Sequence, residues 1–203
     1  MSNERPSPSE LQAKFYQERL VTREAIGIPT DFSPCQLLYI PASDTLIAEA
    51  YRRSTPANEH RLFARRRSEA RYTLIGAPED GIHYKQAVAL PHLECAYFSV
   101  WSTRHFSYDG VGGDWDSIQR LHLSDYRIEQ VAADGELVVA APYNRSWVSD
   151  LLGVTHDGGS LICICGLQRP TGEKASQVDY FLCYLDLASR NVTQLTKLEG
   201  TWF

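Results

Sequence analysis

Long apolar runs are missing from this sequence. No segment approaches the ~20 apolar residues needed to span a bilayer. The opening MSNERPSPSE is polar and leads into no uninterrupted apolar stretch. Neither a membrane helix nor a secretory signal is therefore expected. Catalytic spacing is missing too. The six histidines, His60, His83, His92, His105, His122 and His156, form no HxH or HExxH pair. There is no GxSxG elbow and no Walker or Rossmann glycine pattern, and Ser146 near His156 and Asp157 lacks a supporting context. The five cysteines, Cys35, Cys95, Cys163, Cys165 and Cys183, are odd in number and follow no metal-ligand spacing. A basic balance is also absent: the net charge of −5 speaks against a general nucleic-acid binder. The expectation is a chain without cofactor, without nucleic-acid partner and without membrane partner.

What is present is a globular composition, 43% hydrophobic and 22% charged, which excludes wholesale disorder. Four Trp, eleven Tyr and seven Phe lean the balance toward strands, because rings suit pleated, half-buried surfaces. Cys163 and Cys165 stand two apart on an apolar run and would share one strand face as small hydrophobes. Read as reduced core thiols, they suggest a cytoplasmic protein.

Residues 1–30 form a polar N-terminus and one helix, predicted through Glu10–Glu24 with Ser7 or Ser9 as cap and ended by Gly27 and Pro29. From Leu37 the chain becomes short apolar or alternating runs, such as QLLYIP, DTLIAEAY, CAYFSVW, SLICICGL and YFLCYLDL. Turn signals such as Asp134-Gly135 and Asp157-Gly158-Gly159 separate them. That rhythm indicates an all-β sandwich, barrel or propeller. Internal repetition separates these options. Second strands are predicted to begin near Thr45, Glu94 and Ser160, and third strands near His60, Ser117 and Asp179. The spacing of about 50 to 65 residues suits four-stranded blades with loops of different length.

The run THDGGSLICICG followed by DYFLCYLDLASRNVTQLT resembles a blade of the TolB-like, WD-like β-propeller repeat family, with Asp157, Gly158, Asp186, Leu195 and Thr196 on the pattern. The resemblance is best over residues 150–198 and fainter over two earlier units. It implies an all-β propeller-like domain over 31–203, built of about three four-stranded antiparallel blades. It carries no catalytic residue with it. Three blades do not close a toroid, which needs 4–8, and GTWF falls where a next blade would begin. A protein partner, self-association or the N-terminal helix is expected to cover the open faces.

Two regions are candidates for partner contact. The segment HFSYDGVGGDWD, His105–Asp116, carries Tyr108, Asp109, Asp114, Trp115 and Asp116 among three glycines. It reads as a long hairpin, as a partner-binding loop with exposed rings, or as an acidic metal loop that fits no EF-hand. The second region is the arginine-rich stretch between Glu49 and Arg71, with seven Arg against three Glu. It would steer an acidic partner or serve as a solvated face. Within it Arg65, Arg66 and Arg67 cannot all lie on one strand face, so at least one points elsewhere or pairs with Glu69. Trp101, Trp147 and His122 read as ordinary strand and core residues. The functional expectation is a non-enzymatic protein–protein interaction module, such as an adaptor, complex subunit or immunity-type inhibitor. The alternatives are a small hydrolase or lyase with its site at a blade-loop rim, and a ligand- or glycan-binding module.

Overall fold

The computed structural model of the chain describes residues 27–29, 31–52, 59–76, 81–102, 114–172 and 176–199. The helix expected at Glu10–Glu24 lies outside the described residues. Among the described residues twelve strands follow one another: β1 (Ser33–Ile40), β2 (Thr45–Arg52), β3 (Glu59–Arg66), β4 (Thr73–Leu74), β5 (Ile82–Ala89), β6 (Cys95–Ser102), β7 (Asp114–His122), β8 (Ile128–Ala133), β9 (Arg145–Val154), β10 (Ser160–Pro170), β11 (Ser176–Asp186) and β12 (Val192–Lys197). Among the described residues the one helical element is a 3-10 turn at Pro41–Ser43. No helix there is long and apolar enough to cross a membrane.

The strands form three antiparallel sheets of four, each paired in chain order: β1–β4, β5–β8 and β9–β12. The second and third strands of each sheet begin within a few residues of the positions expected from the turn rhythm. Chain-order pairing needs only tight turns, and the residues at those turns supply them. Gly158, at φ 73, takes a left-handed conformation between β9 and β10 that a β-carbon would oppose. Beside it Asp157 accepts hydrogen bonds from the Thr155 hydroxyl and the Gly159 N–H, closing an Asx-type turn.

Two apolar cores join the sheets. Ile40, Ile47, Leu62, Phe98 and Leu121 bury one face of the first sheet against the second. Tyr97, Trp115, Ile118, Val148, Leu161, Phe181 and Leu185 bury the second against the third. Strict alternation along β10 sends Leu161, Cys163, Cys165 and Leu167 inward, all fully buried. Cys163 and Cys165 are free thiols on that one face, 3.5 Å apart, with free Cys183 directly opposite Cys163 on β11. In β11 Leu185 is buried, while Asp186 turns to cap the following turn through the Ser189 N–H and hydroxyl. β5 lies against β1, β2 and β3 on one side and against β9 on the other. The middle sheet therefore has a neighbour on each side.

Candidate functional site

Two places on this scaffold concentrate chemistry. The first is the outer face of the first sheet. Alternation in β2 sends Ile47 and Glu49 toward the second sheet and leaves Leu46, Ala48 and Ala50 on the outside. Register then builds two cross-strand rows there. Tyr39, Leu46 and Arg65 stand opposite one another, as do Leu37, Ala48, Phe63 and Leu74. At one end Ile28, Phe32 and Tyr72 cover the face, with Phe32 edge-on to Phe63 at 5.4 Å. On the same face Leu37 is 45% exposed, Tyr39 52% and Leu74 45%, while Ala48 and Phe63, between Leu37 and Leu74, are buried.

Beside these side chains Tyr39, Asp44, Leu46, Arg65 and Arg67 line a cavity of about 320 Å³. The Tyr39 hydroxyl donates to Asp44 Oδ1 at 2.7 Å, and that bond raises the phenol's pKa. Arg65 places its guanidinium 5.1 Å from the Tyr72 ring centre, and its Nε is buried without a hydrogen-bond partner. Among the described residues no carboxylate pairs with Arg65 or Arg67. Arg66 points to the opposite face, where it bonds the Leu123 carbonyl at 2.8 Å, pairs with Glu69 at 3.9 Å and stacks over Tyr126. The arginine triplet thus divides as strand alternation requires. Elsewhere in the basic stretch Arg52 pairs with Asp31 and Glu59, and Arg61 with Glu59.

Of the acidic segment His105–Asp116 the structure describes residues 114–116, and these lie in a strand. Strand β7 begins at Asp114, which pairs with Ser102. Trp115 is buried at 4% exposure opposite Trp101, packed between the second and third sheets. This corrects the expectation of an exposed ring for contact: the two aspartates flanking Trp115 disguise a strand whose next inward residues are Ser117 and Ile118. Asp116 is exposed and accepts from the Ser117 hydroxyl. Tyr108 and Asp109 lie outside the described residues.

The second place is a polar junction where all three sheets meet, and nothing in motif spacing announces it. Its centre is Glu49 on β2, 7% exposed. Glu49 Oε1 lies 3.2 Å from His60 Nδ1 on β3, and Oε2 accepts the backbone N–H of Gln86 on β5 at 2.7 Å. Gln86 holds φ 57 inside a bulge between Lys85 and Val88. Left-handed backbone in a non-glycine residue costs about 1–2 kcal/mol, and such strain concentrates where the surroundings demand it. All four hydrogen-bonding positions of the Gln86 amide are filled. Nε2 donates to Asp150 Oδ1 at 2.5 Å and to the Ser149 carbonyl, while Oε1 accepts from the Ser99 hydroxyl and the Leu151 N–H. A second bulge, between Pro34 and Gln36 on β1, frees Cys35 from the ladder and turns its Sγ to the Glu49 carbonyl at 3.4 Å.

Charge around the junction is balanced tightly. Burial lowers the pKa of Lys85, opposed by Glu49 and Asp150, and its ammonium sits 5.2 Å from the Trp101 ring centre. Burial also pushes His83 down to about 4, aided by Lys85 and Arg61, so His83 is neutral and its Nδ1 accepts the His60 N–H at 3.3 Å. The one available sequence signal was an acidic residue, Glu49, inside the otherwise apolar strand TLIAEAY.

Comparison of the chain with protein-family models, curated proteins and solved structures found no match.

Proposed function

We propose that this chain is a non-enzymatic protein-interaction module on a propeller-like scaffold of three blades, and that the outer face of its first sheet receives an acidic segment of a protein partner. Three successive four-stranded meanders in chain order support the blade reading, as does the placing of the second sheet between the other two, with β5 against β1, β2 and β3 on one side and β9 on the other. The observation that carries the binding reading is the open face itself. Tyr39 and, at the two edges of the sheet, Leu37 and Leu74 are exposed, and Arg65 and Arg67 line a cavity with Tyr39 and Asp44 without a direct ion pair among the described residues. Exposed apolar groups with Tyr and Arg are the composition of interface centres. Burying the apolar part yields roughly 25 cal/mol per Å², and carboxylates of a partner would satisfy the arginines bidentately.

A second copy of the chain is the other occupant to distinguish. The third sheet keeps Leu152, Val178 and Tyr184 exposed. Head-to-tail contact of two copies would give six sheets, inside the range that closes a propeller. The test uses the full chain and its Arg65→Glu/Arg67→Glu variant as baits, with light scattering on each. The wild type should stay monomeric and retain a stoichiometric acidic protein that the variant loses. Equal retention by both baits overturns the assigned face. A wild-type dimer that the variant lacks replaces the foreign partner with a second copy.

A further inference from the structure

Cys35, Glu49 and His60 come from three neighbouring strands of one sheet, one residue each from β1, β2 and β3. The Cys35 sulfur, a Glu49 carboxylate oxygen and a His60 ring nitrogen all lie within 4.8 Å of one another. Among the described residues no other His, Cys, Asp and Glu set gathers in this way. We propose that these three side chains bind a divalent transition metal, with Zn²⁺ the best fit, leaving a fourth coordination position to water.

Donor chemistry selects the ion. A thiolate and an imidazole together favour zinc and its neighbours and disfavour Mg²⁺ and Ca²⁺, which take oxygen ligands. Zinc bonds of about 2.0–2.3 Å to N, O and S in a tetrahedron set the donors about 3.3–3.6 Å apart. His60 Nδ1 and Glu49 Oε1 are already 3.2 Å apart, so only the sulfur has to close in. A rotation of the Cys35 side chain supplies that movement, because the bulge holds its backbone out of the ladder. One thiolate and one carboxylate neutralise the ion's two charges, which suits a site whose Glu49 is buried.

The surroundings complete the arrangement. The strained Gln86 donates its backbone N–H to Glu49 Oε2, fixing the carboxylate with the other oxygen toward His60. That is the part an outer-shell group plays around a metal. Tyr51 stacks on the His60 ring at 5.8 Å and restricts its rotation. Cys35 is exposed on its strand, so an ion and its water have access from solvent. A thiol that becomes a thiolate ligand gives up its proton, so affinity rises with pH.

The experiment titrates the reduced full chain with Zn²⁺ by calorimetry and with Co²⁺ by absorption spectroscopy. One equivalent of each should bind, and Co²⁺ should give a thiolate charge-transfer band with tetrahedral visible bands. Cys35→Ser should abolish the charge-transfer band. Cys35→Ser and His60→Ala should each weaken Zn²⁺ binding by more than the about 10- to 100-fold that an outer-shell change causes. Cys95→Ser should leave band and stoichiometry unchanged, and circular dichroism confirms that each variant is folded. Absence of a charge-transfer band in the wild type, or the same band in folded Cys35→Ser, overturns the site.

Discussion

The backbone N–H of Gln86 meets Glu49 Oε2 at 2.7 Å, linking a strained residue of the second sheet to a buried carboxylate of the first. The same residue reaches the third sheet through its side chain, at Asp150, Ser149 and Leu151. Gln86 is thus the one described position at which a single residue hydrogen-bonds all three sheets, its remaining partner Ser99 lying within its own.

Gln86→Ala keeps the backbone bond to Glu49 and removes the amide. Asp150, Ser99 and Leu151 N–H then lose a partner in a partly buried site, and the expected loss is about 1–3 kcal/mol. Gln86→Gly removes the same amide but tolerates φ 57 without a β-carbon, so it should be less damaging than alanine by about 1 kcal/mol. Urea unfolding of the three chains measures both differences. A glycine variant less stable than the alanine variant would contradict the strained backbone.

What could be read in the sequence was whatever repeats with period two or is fixed by a turn residue. The β2 and β10 starts at Thr45 and Ser160 followed from turn residues just before them, and the inward set of β10 from plain alternation. The division of Arg65, Arg66 and Arg67 followed from the same rule. Bulges break it. An extra residue at Cys35 and the irregular pairing at Gln86 alter which face each side chain takes, and no local pattern marks either insertion. The polar junction depends on both, so Glu49, His60 and Cys35 looked like scattered residues. Trp115 failed for a different reason: Asp114, Asp116 and the neighbouring glycines resembled loop chemistry, while burial opposite Trp101 governs the position.

Leu185 tests the third sheet's register. Its side chain is 1% exposed in the core shared with the second sheet, whereas Leu195 on the neighbouring strand is 44% exposed. Leu185→Ala should cost about 2–5 kcal/mol. Leu195→Ala should stay within about 0.5 kcal/mol. Denaturant midpoints at constant slope decide it, and similar losses at both positions would mean that the faces are assigned wrongly.

Gly166 tests close packing on the outer side of the same sheet. It stands opposite Trp147, and a β-carbon there would collide with the indole ring. Tyr180 meets that indole edge-on at 6.4 Å and limits its retreat. Gly166→Ala should therefore destabilise by about 1–3 kcal/mol, the range for overpacking. Adding Trp147→Leu should recover part of that loss, giving a coupling of at least about 0.5 kcal/mol in the double-mutant cycle. Strictly additive losses would show that the indole is not what the new methyl meets.

His83 sets a pH dependence whose sign follows from its surroundings. The ring is buried beside Lys85, Arg61 and His60, with Glu59 as the opposing carboxylate, and its pKa falls from 6.5 to about 4. Between those values the unfolded chain carries a proton on this histidine and the folded chain does not. Stability from the neutral ring is therefore fully present above pH 6.5, falls as pH drops toward 4, and levels off below it. His83→Gln removes the titration while keeping a polar side chain of similar reach. The stability gap between wild type and variant should be widest near pH 7.5 and narrow steadily down to pH 4, read from urea midpoints at half-unit intervals. Parallel pH profiles for the two chains would mean that His83 titrates freely in the fold, and the electrostatic account of the junction would fail with it.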